Sequence, residues 1–186
     1  MQLSSESQVR PAVKPQKRLL SLDDLAARSF DDLSAVYQSA PAPTTVKGVD
    51  GTPRGRMLAV NKLPGLLANP IRAFAASNSF VWDGKTFSST TDKRGKGHNR
   101  VSLPGVLGKQ SLFPFETFVG KSAVDGRDAI ILDYDLSVNP TYIRHIHDEI
   151  REVEAGLYMG PAMWKTASSK ITVLWFALDT QVPATF

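Results

Sequence analysis

The hydrophobic pattern changes its period part-way along the chain. Before residue 77 the apolar residues recur every three or four positions, which is typical of amphipathic helices. From residue 79 onward they fall in short runs with a period of two, which is typical of strands. Helices at the beginning, followed by a series of short antiparallel strands, predict an α+β fold. We expect an antiparallel β-barrel or strongly curved sheet of about seven to nine strands, with N-terminal helices packed on it.

Two helical segments are predicted ahead of the strands, over residues 21–39 and 64–76. The first contains a near-repeat, in which Ser-Leu-Asp-Asp-Leu is followed by Ser-Phe-Asp-Asp-Leu. Each serine can cap a helix, and the aspartates suit the positive end of its dipole. One bent helix or two short ones fit this pattern. Its apolar stripe is expected to pack against the sheet, and the alternative is an interaction module in which the stripe recruits a partner.

Seven runs are predicted to be strands: residues 79–82, 85–90, 99–103, 111–121, 128–135, 157–166 and 170–179. The dipeptides Asp83-Gly84 and Asp125-Gly126 are typical hairpin turns, and the basic segment around Gly95 is expected to be an exposed loop. Residues 140–147 are expected to form one or two helical turns that lead into a further strand. The last run is apolar on both faces, so the helices or the barrel interior must cover its second face.

Length and composition fit one domain over residues 21–186, after a polar, proline-containing tail at residues 1–20 that is expected to be flexible. The chain has no cysteine, which excludes a disulfide framework and a thiol nucleophile. It shows neither a secretory signal nor an apolar run of the roughly 18 residues that a membrane span needs. We therefore expect a soluble, cytoplasmic protein. The basic residues are not interleaved with aromatic ones, so no nucleic-acid partner is predicted. A homodimer is left open.

Three segments share their order with a known bacterial family. They are Trp-Asp-Gly-Lys-Thr-Phe at 82–87, Ile-Leu-Asp-Tyr-Asp at 131–135, and Asp-Glu-Ile-Arg at 148–151 running into Gly-Leu-Tyr-Met-Gly at 156–160. In this order they resemble the family named for its GXWXG motif, with the domain of unknown function that follows that motif. More broadly they resemble the lipocalin-like (calycin) barrels, which bind small hydrophobic molecules. The resemblance implies a barrel and a ligand, and it brings no catalytic residues.

A polar cluster around the two neighbouring histidines raises the question of a metal site. If His145 and His147 lay on an extended strand, both imidazoles would share one face, and His98 or a carboxylate could complete a site. On a short helix they would point about 200° apart and could not share one ion. Surface or structural roles are the favoured interpretation, so no metal site is predicted, and the sequence leaves any other cofactor open.

Acid–base catalysis is the second hypothesis. Asp133 lies inside an apolar run and Glu116 lies among phenylalanines, so burial in an apolar interior would raise the pKa of either carboxyl group. With His145 they could serve an isomerase-type or cyclase-type enzyme. The alternative is that each carboxylate simply pairs with an arginine, Arg100 or Arg151.

The favoured function is the binding of a small hydrophobic or amphipathic ligand in the barrel. Alternate residues of a barrel strand point inward, and a small barrel either packs solid or leaves room for one small molecule. Either interior fits the aromatic residues of this chain. Arg100 or His145 would fix a polar or anionic end of the ligand. The candidate ligand-binding residues are Trp82, Arg100, Phe115, Tyr134, His147, Tyr158 and Trp164.

Overall fold

The computed structural model describes residues 20–61, 81–103 and 108–184. Within these residues the chain forms a closed antiparallel barrel of eight strands, in which each strand pairs with the next and the last pairs with the first. The predicted α+β barrel is thereby confirmed. The strands are β1 (Arg54–Val60), β2 (Val81–Ser89), β3 (Arg94–Ser102), β4 (Lys109–Lys121), β5 (Asp128–Asp133), β6 (Ile146–Glu154), β7 (Leu157–Lys165) and β8 (Lys170–Asp179).

Three short α-helices accompany the barrel in the described ranges: α1 (Leu22–Ala26), α2 (Phe30–Ser39) and α3 (Thr141–Arg144). The near-repeat forms two helices rather than one. Ser21 and Ser29 each begin a helix with a capping box, accepting from the backbone N–H three residues later. Among the described residues no helix is long and apolar enough to cross a bilayer. The predicted tail up to residue 19 and the predicted helix at 64–76 lie outside the described residues.

Two predicted turns near the start of the barrel are wrong. Asp83-Gly84 does not form a hairpin, because β2 continues through it with a bulge between Trp82 and Gly84, and Gly84 has a φ of +129°. The segment around Gly95 is part of β3, not a loop. A Cβ on Gly97 would lie 2.6 Å from the ring of Phe115, so glycine there permits close packing of the strands. The predicted strands therefore merge and lengthen, and β1 was missed altogether.

The other strand predictions are close to the structure. Asp125-Gly126 does turn between β4 and β5, where Gly126 has a φ of +74°. One helical turn, α3, precedes β6 as expected. The apolar last strand, β8, is covered on both sides. Leu174 and Phe176 belong to the inner core of the barrel, while Trp175 packs outside it under α1 and α2.

The apolar stripe of the helices packs against the outside of the barrel, as predicted. Leu25, Leu33 and Tyr37 are fully buried there, together with Trp175 and Met159. The stripe is thus used within the chain itself, which removes the basis for the alternative of a partner-binding helix.

An ion pair between the buried Arg151 and the partly buried Asp125 fixes α2 to the barrel. Both guanidinium NH₂ groups of Arg151 donate to the carboxylate of Asp125, each at 2.7 Å. Arg151 also lies 4.5 Å from the ring centroid of Tyr37 and donates to the backbone carbonyl of that residue at the C-terminal end of α2. Arg151 is completely buried, so Asp125 is its essential counter-charge.

We expect Asp125→Asn to lower the free energy of unfolding by about 3–5 kcal/mol at neutral pH, because it leaves a buried guanidinium without its carboxylate. Hydrogen bonds from Arg151 hold the pKa of Asp125 well below its ordinary value of 3.8. Its contribution is therefore fully present above that value and is lost as the pH falls below it.

Urea unfolding at a series of pH values measures the difference between wild type and variant. The matched control is Asp135→Asn, whose pair with Arg144 is about half exposed and contributes at most about 1 kcal/mol. A difference for Asp125→Asn no larger than the control's at neutral pH would contradict this account of α2.

Candidate ligand-binding site

The barrel interior is partly solid and partly open. A cavity of about 120 Å³ lies among inward-facing side chains, and its aromatic and aliphatic walls surround one small polar region. The 3₁₀ turn Lys47–Val49 contributes Val49 to the inner core, and α3 contributes Ile143. The cavity is lined by Met57, Trp82, Lys85, Asn99, Phe113, Tyr134, Tyr142, Ile143, Ile146, Asp148, Ala162, Trp164, Leu174 and Phe176.

The polar region is a hydrogen-bonded cluster centred on a buried lysine. The ammonium of Lys85 donates to Tyr134 Oη at 2.6 Å and to Asn99 Oδ1 at 2.8 Å, and it lies 3.0 Å from Asp148 Oδ2. Tyr134 in turn donates to Asp148 Oδ2 at 3.0 Å. Trp82 Nε1 donates to Asn99 Oδ1 at 3.1 Å. We call these five residues the lysine cluster.

Aromatic rings enclose the ammonium on several sides. Lys85 Nζ lies between 5.1 and 5.4 Å from the ring centroids of Trp82, Phe115, Tyr134 and Phe176. These distances are typical of cation–π interactions, which offset part of the cost of removing the charge from water. The side chains of Lys85 and Asp148 are each only 4% exposed.

Burial shifts two ionisation equilibria in the cluster. It lowers the pKa of Lys85 below that of an exposed lysine, while the charge of Asp148 opposes this change. Burial also raises the pKa of Tyr134 well above its ordinary value, and the neighbouring Asp148 raises it further. Tyr134 consequently stays protonated at neutral pH and remains a hydrogen-bond donor to Asp148.

Strand geometry explains why these residues meet. In a regular strand Trp82 and Lys85 would point to opposite faces, because they are three residues apart. The bulge between Trp82 and Gly84 inserts Asp83 as an extra residue, so both side chains line the cavity. Asp83 itself forms a buried ion pair with Arg100.

A strained backbone position supports the cluster from β4. Phe113 has a φ of +54°, a value that side-chain-bearing residues seldom adopt, and it lines the cavity. Its carbonyl accepts from Asn99 Nδ2 at 3.3 Å, across an irregular stretch of the β3–β4 pairing. Strained positions of this kind concentrate at binding and active sites.

The structure brings four of the predicted ligand-binding residues together. Trp82, Tyr134 and Trp164 line the cavity. Phe115 packs against Tyr134, with ring centroids 5.2 Å apart, and borders the lysine cluster without lining the cavity. At the cavity wall Trp164 stacks on the ring of His145, which follows α3.

Three other predicted ligand-binding residues lie elsewhere. Arg100 is held by Asp83 and by backbone carbonyls, and it does not line the cavity. His147 forms a hydrogen bond with Glu149, and both residues lie on the face of β6 opposite to Asp148. Tyr158 belongs to the solid part of the inner core, where its hydroxyl packs close to Gly48.

The predicted acid–base residues do not converge on the cavity. Ile130, Leu132 and Tyr134 face the inner core, so the intervening Asp133 faces outward, where it lies 3.5 Å from Lys165. Glu116 is exposed on the surface. The alternative that Asp133 and Glu116 pair with Arg100 or Arg151 is also wrong. Arg100 pairs with Asp83, and Arg151 pairs with Asp125.

The suggested metal constellation is dispersed. His145 ends α3 while His147 lies in β6, and Asp148 turns into the barrel away from both. Within residues 20–61, 81–103 and 108–184, no group of three or more potential ligands has the geometry to hold an ion.

Three members of the lysine cluster, Lys85, Asn99 and Asp148, were not among the ligand-binding residues predicted from the sequence. Lys85 and Asp148 do occur in the segments that carry the family resemblance, at 82–87 and 148–151. The missing information was the bulge in β2, which a strict period of two cannot reveal. Asp148 lies in the polar cluster around the two histidines, for which the sequence favoured surface or structural roles.

Comparisons with known proteins define the fold and leave the function open. No protein-family profile matches the chain, and no curated protein matches it. A crystal structure of a protein from Thermomonospora curvata is similar, with 18% sequence identity and a TM-score of 0.51 over 83% of this chain and 89% of that one. At this identity the similarity shows only a shared fold. The described parts of the chain thus form an eight-stranded antiparallel barrel with a solved structural neighbour, and the family resemblance stays a prediction.

The lysine cluster predicts a strong energetic coupling between its two charges. Lys85→Met should lower the free energy of unfolding by about 3–5 kcal/mol, because it leaves the buried carboxylate of Asp148 without a counter-charge. The double variant Lys85→Met/Asp148→Leu should lose clearly less than the sum of the two single variants.

Urea unfolding of the four proteins measures this coupling. The control is Lys121→Met, which removes a pair with Asp128 whose lysine is 75% exposed and should change the stability by at most about 1 kcal/mol. Additive losses in the double variant would show that Lys85 and Asp148 do not form a coupled buried pair.

Proposed function

We propose that the barrel binds a small, mostly apolar molecule in its cavity, as the lipocalin-like resemblance implies. The observation that carries this proposal is an apolar cavity that ends in a buried, hydrogen-bonded polar cluster. Binding sites for small molecules usually combine apolar walls with a few convergent polar groups that set the orientation of the ligand. In this barrel the walls are supplied by residues such as Trp82, Phe113, Trp164 and Phe176, and the polar end by Lys85 and Asp148.

Stability alone is a poor explanation for the lysine cluster. A buried ion pair repays its desolvation only with good geometry, and well-packed apolar residues in its place are often neutral or more stable. The cluster also borders an unfilled space, although a fully packed core would stabilise the barrel further. A polar cluster at the end of a cavity is instead what a ligand-binding function requires.

The surface around α3 is the natural entrance. Tyr142 of α3 lines the cavity while half of its side-chain surface is exposed, so the cavity reaches the surface beside this residue. Trp164 and the stacked His145 form the adjacent rim. His145 therefore lies near the entrance, although the cavity lining does not include it.

The segments that carry the family resemblance support the same site. The first contributes Trp82 and Lys85, the second Tyr134 and the third Asp148, and all four line the cavity. The isomerase alternative rested on Asp133, Glu116 and His145, whose separation favours the binding function. The cytoplasmic location and the homodimer stay predictions.

Filling the cavity should abolish binding without unfolding the protein. Ala162 is 6% exposed and lines the cavity wall, so Ala162→Leu adds three carbon atoms to that space. We expect native mass spectra of freshly purified wild type to show an adduct that disappears on denaturation, and spectra of the variant to lack it. The thermal midpoint of the variant should equal or exceed that of wild type.

The control is Ala35→Leu, the same change at an exposed position of α2, which should keep the adduct. Binding in this cavity would be contradicted if Ala162→Leu, folded as well as wild type, carried the same adduct. It would also be contradicted if wild type showed no adduct and no change of its thermal midpoint with small aromatic compounds.

A further inference from the structure

One oxygen of the lysine cluster has no partner. Among the described residues Asp148 Oδ1 is buried and makes no hydrogen bond, although Asp148 lines the cavity. The other oxygen, Oδ2, is close to both Lys85 and Tyr134. A buried carboxylate oxygen without a donor loses its hydration and gains nothing in return, which costs free energy.

The rest of the cluster is saturated. An ammonium group has three N–H donors, and Lys85 has three acceptors within 3.0 Å, on Asn99, Tyr134 and Asp148. The side-chain oxygen of Asn99 accepts from both Lys85 and Trp82, and its amide donates to the carbonyl of Phe113. The cluster thus presents one hydrogen-bond acceptor, Asp148 Oδ1, to the cavity. All three N–H donors of Lys85 are already used within the cluster.

The next residue along the chain provides a comparison within the molecule. Glu149 lies on the opposite face of β6, and both of its carboxylate oxygens are satisfied by Tyr37, Ser122, His147 and the backbone N–H of Ala123. The fold therefore fully satisfies a buried carboxylate where its role is to hold α2 against the barrel. Of these two buried carboxylates, the one with an oxygen that lacks a partner is Asp148, whose side chain faces the cavity.

Charge and size narrow the class of ligand. Lys85 and Asp148 together carry no net charge, so the cavity does not favour an ion, and a carboxylate would meet Asp148 with no free donor beside it. In another protein an apolar cavity of about 150 Å³ holds one benzene molecule. A volume of about 120 Å³ between aromatic walls therefore suits a single ring or an apolar group of similar size.

We propose that the cavity takes a neutral molecule of about one ring that carries a hydroxyl or N–H group, and that this group donates a hydrogen bond to Asp148 Oδ1. This inference rests on the proposed binding function and specifies the polar group of the ligand. If the inference holds, the barrel is not a carrier of fatty acids or other carboxylates, because its cavity presents an acceptor and no free donor.

Three toluenes that differ in the group at the para position test the inference on wild-type protein; para-cresol and para-xylene are nearly equal in shape. Para-cresol carries a hydroxyl donor, para-xylene replaces it by a methyl group, and para-toluate replaces it by a carboxylate. Each is titrated into ¹⁵N-labelled protein, and the dissociation constant is taken from NMR shifts that include the indole N–H of Trp82. Para-cresol should bind at least about tenfold more tightly than para-xylene, because its hydroxyl can donate a hydrogen bond to the charged Asp148 and para-xylene has no donor. Para-toluate should bind most weakly.

The outcomes separate the inference from the proposed function. If para-xylene binds as tightly as para-cresol, or para-toluate binds most tightly, the cavity binds ligands but the assigned donor is wrong. If none of the three shifts the Trp82 signal at millimolar concentration, the inference fails together with the proposed function.

Asp148→Asn provides a second test. A neutral amide oxygen is a weaker acceptor than a carboxylate, so the preference for para-cresol over para-xylene should fall several-fold. The control is Asp128→Asn, which removes an exposed carboxylate paired with Lys121 and should keep the wild-type preference. An unchanged preference in a folded Asp148→Asn protein would overturn the assignment. If that variant does not fold, the three probes on wild type decide.

Discussion

The site depends on a lysine–aspartate pair enclosed in a closed barrel. Each charge alone would be too costly to bury, and together they are tolerated because the ammonium finds three acceptors and a surround of aromatic rings. The closed barrel surrounds the pair with strands, and within the described residues each strand is paired on both sides. Because both side chains are almost completely buried, the groups facing the cavity are held in one arrangement before any ligand arrives.

The barrel uses buried polar groups in two different ways. Outside it, Arg151, Asp125 and Glu149 bind α2 to the strands with both carboxylates fully engaged. Inside it, the lysine cluster is also hydrogen-bonded, but Asp148 Oδ1 has no hydrogen-bond partner among the described residues. Residues 147–151 alternate between these faces along β6, so one strand serves both the packing of the helix and the binding site.

The sequence predicted the architecture better than the site. Alternating hydrophobicity and serine caps are local properties, and they sufficed for the barrel, for helical structure near the start of the chain and for the covered last strand, although they left open whether the near-repeat forms one helix or two. Which side chains line the cavity depends on the face of the strand that each residue occupies. A single bulge reverses the face for every residue that follows it along the strand. Period-two reasoning therefore selected Trp82 and Tyr134 but missed Lys85, and an apolar run suggested an inward Asp133 when its neighbours Leu132 and Tyr134 face the core. The strand β1 was missed because Gly51, Pro53 and Gly55 lie around its start, and glycine and proline are typical of turns and loops.

A high-resolution crystal structure of the protein with para-cresol tests the central claim most directly. The account predicts electron density for one ring between Trp82, Phe113 and Phe176, with its hydroxyl at hydrogen-bond distance from Asp148 Oδ1 and with the contacts of Lys85 unchanged. The account would be contradicted by a barrel whose side chains pack the cavity shut. It would equally be contradicted by an Asp148 Oδ1 that is hydrogen-bonded to another group of the protein.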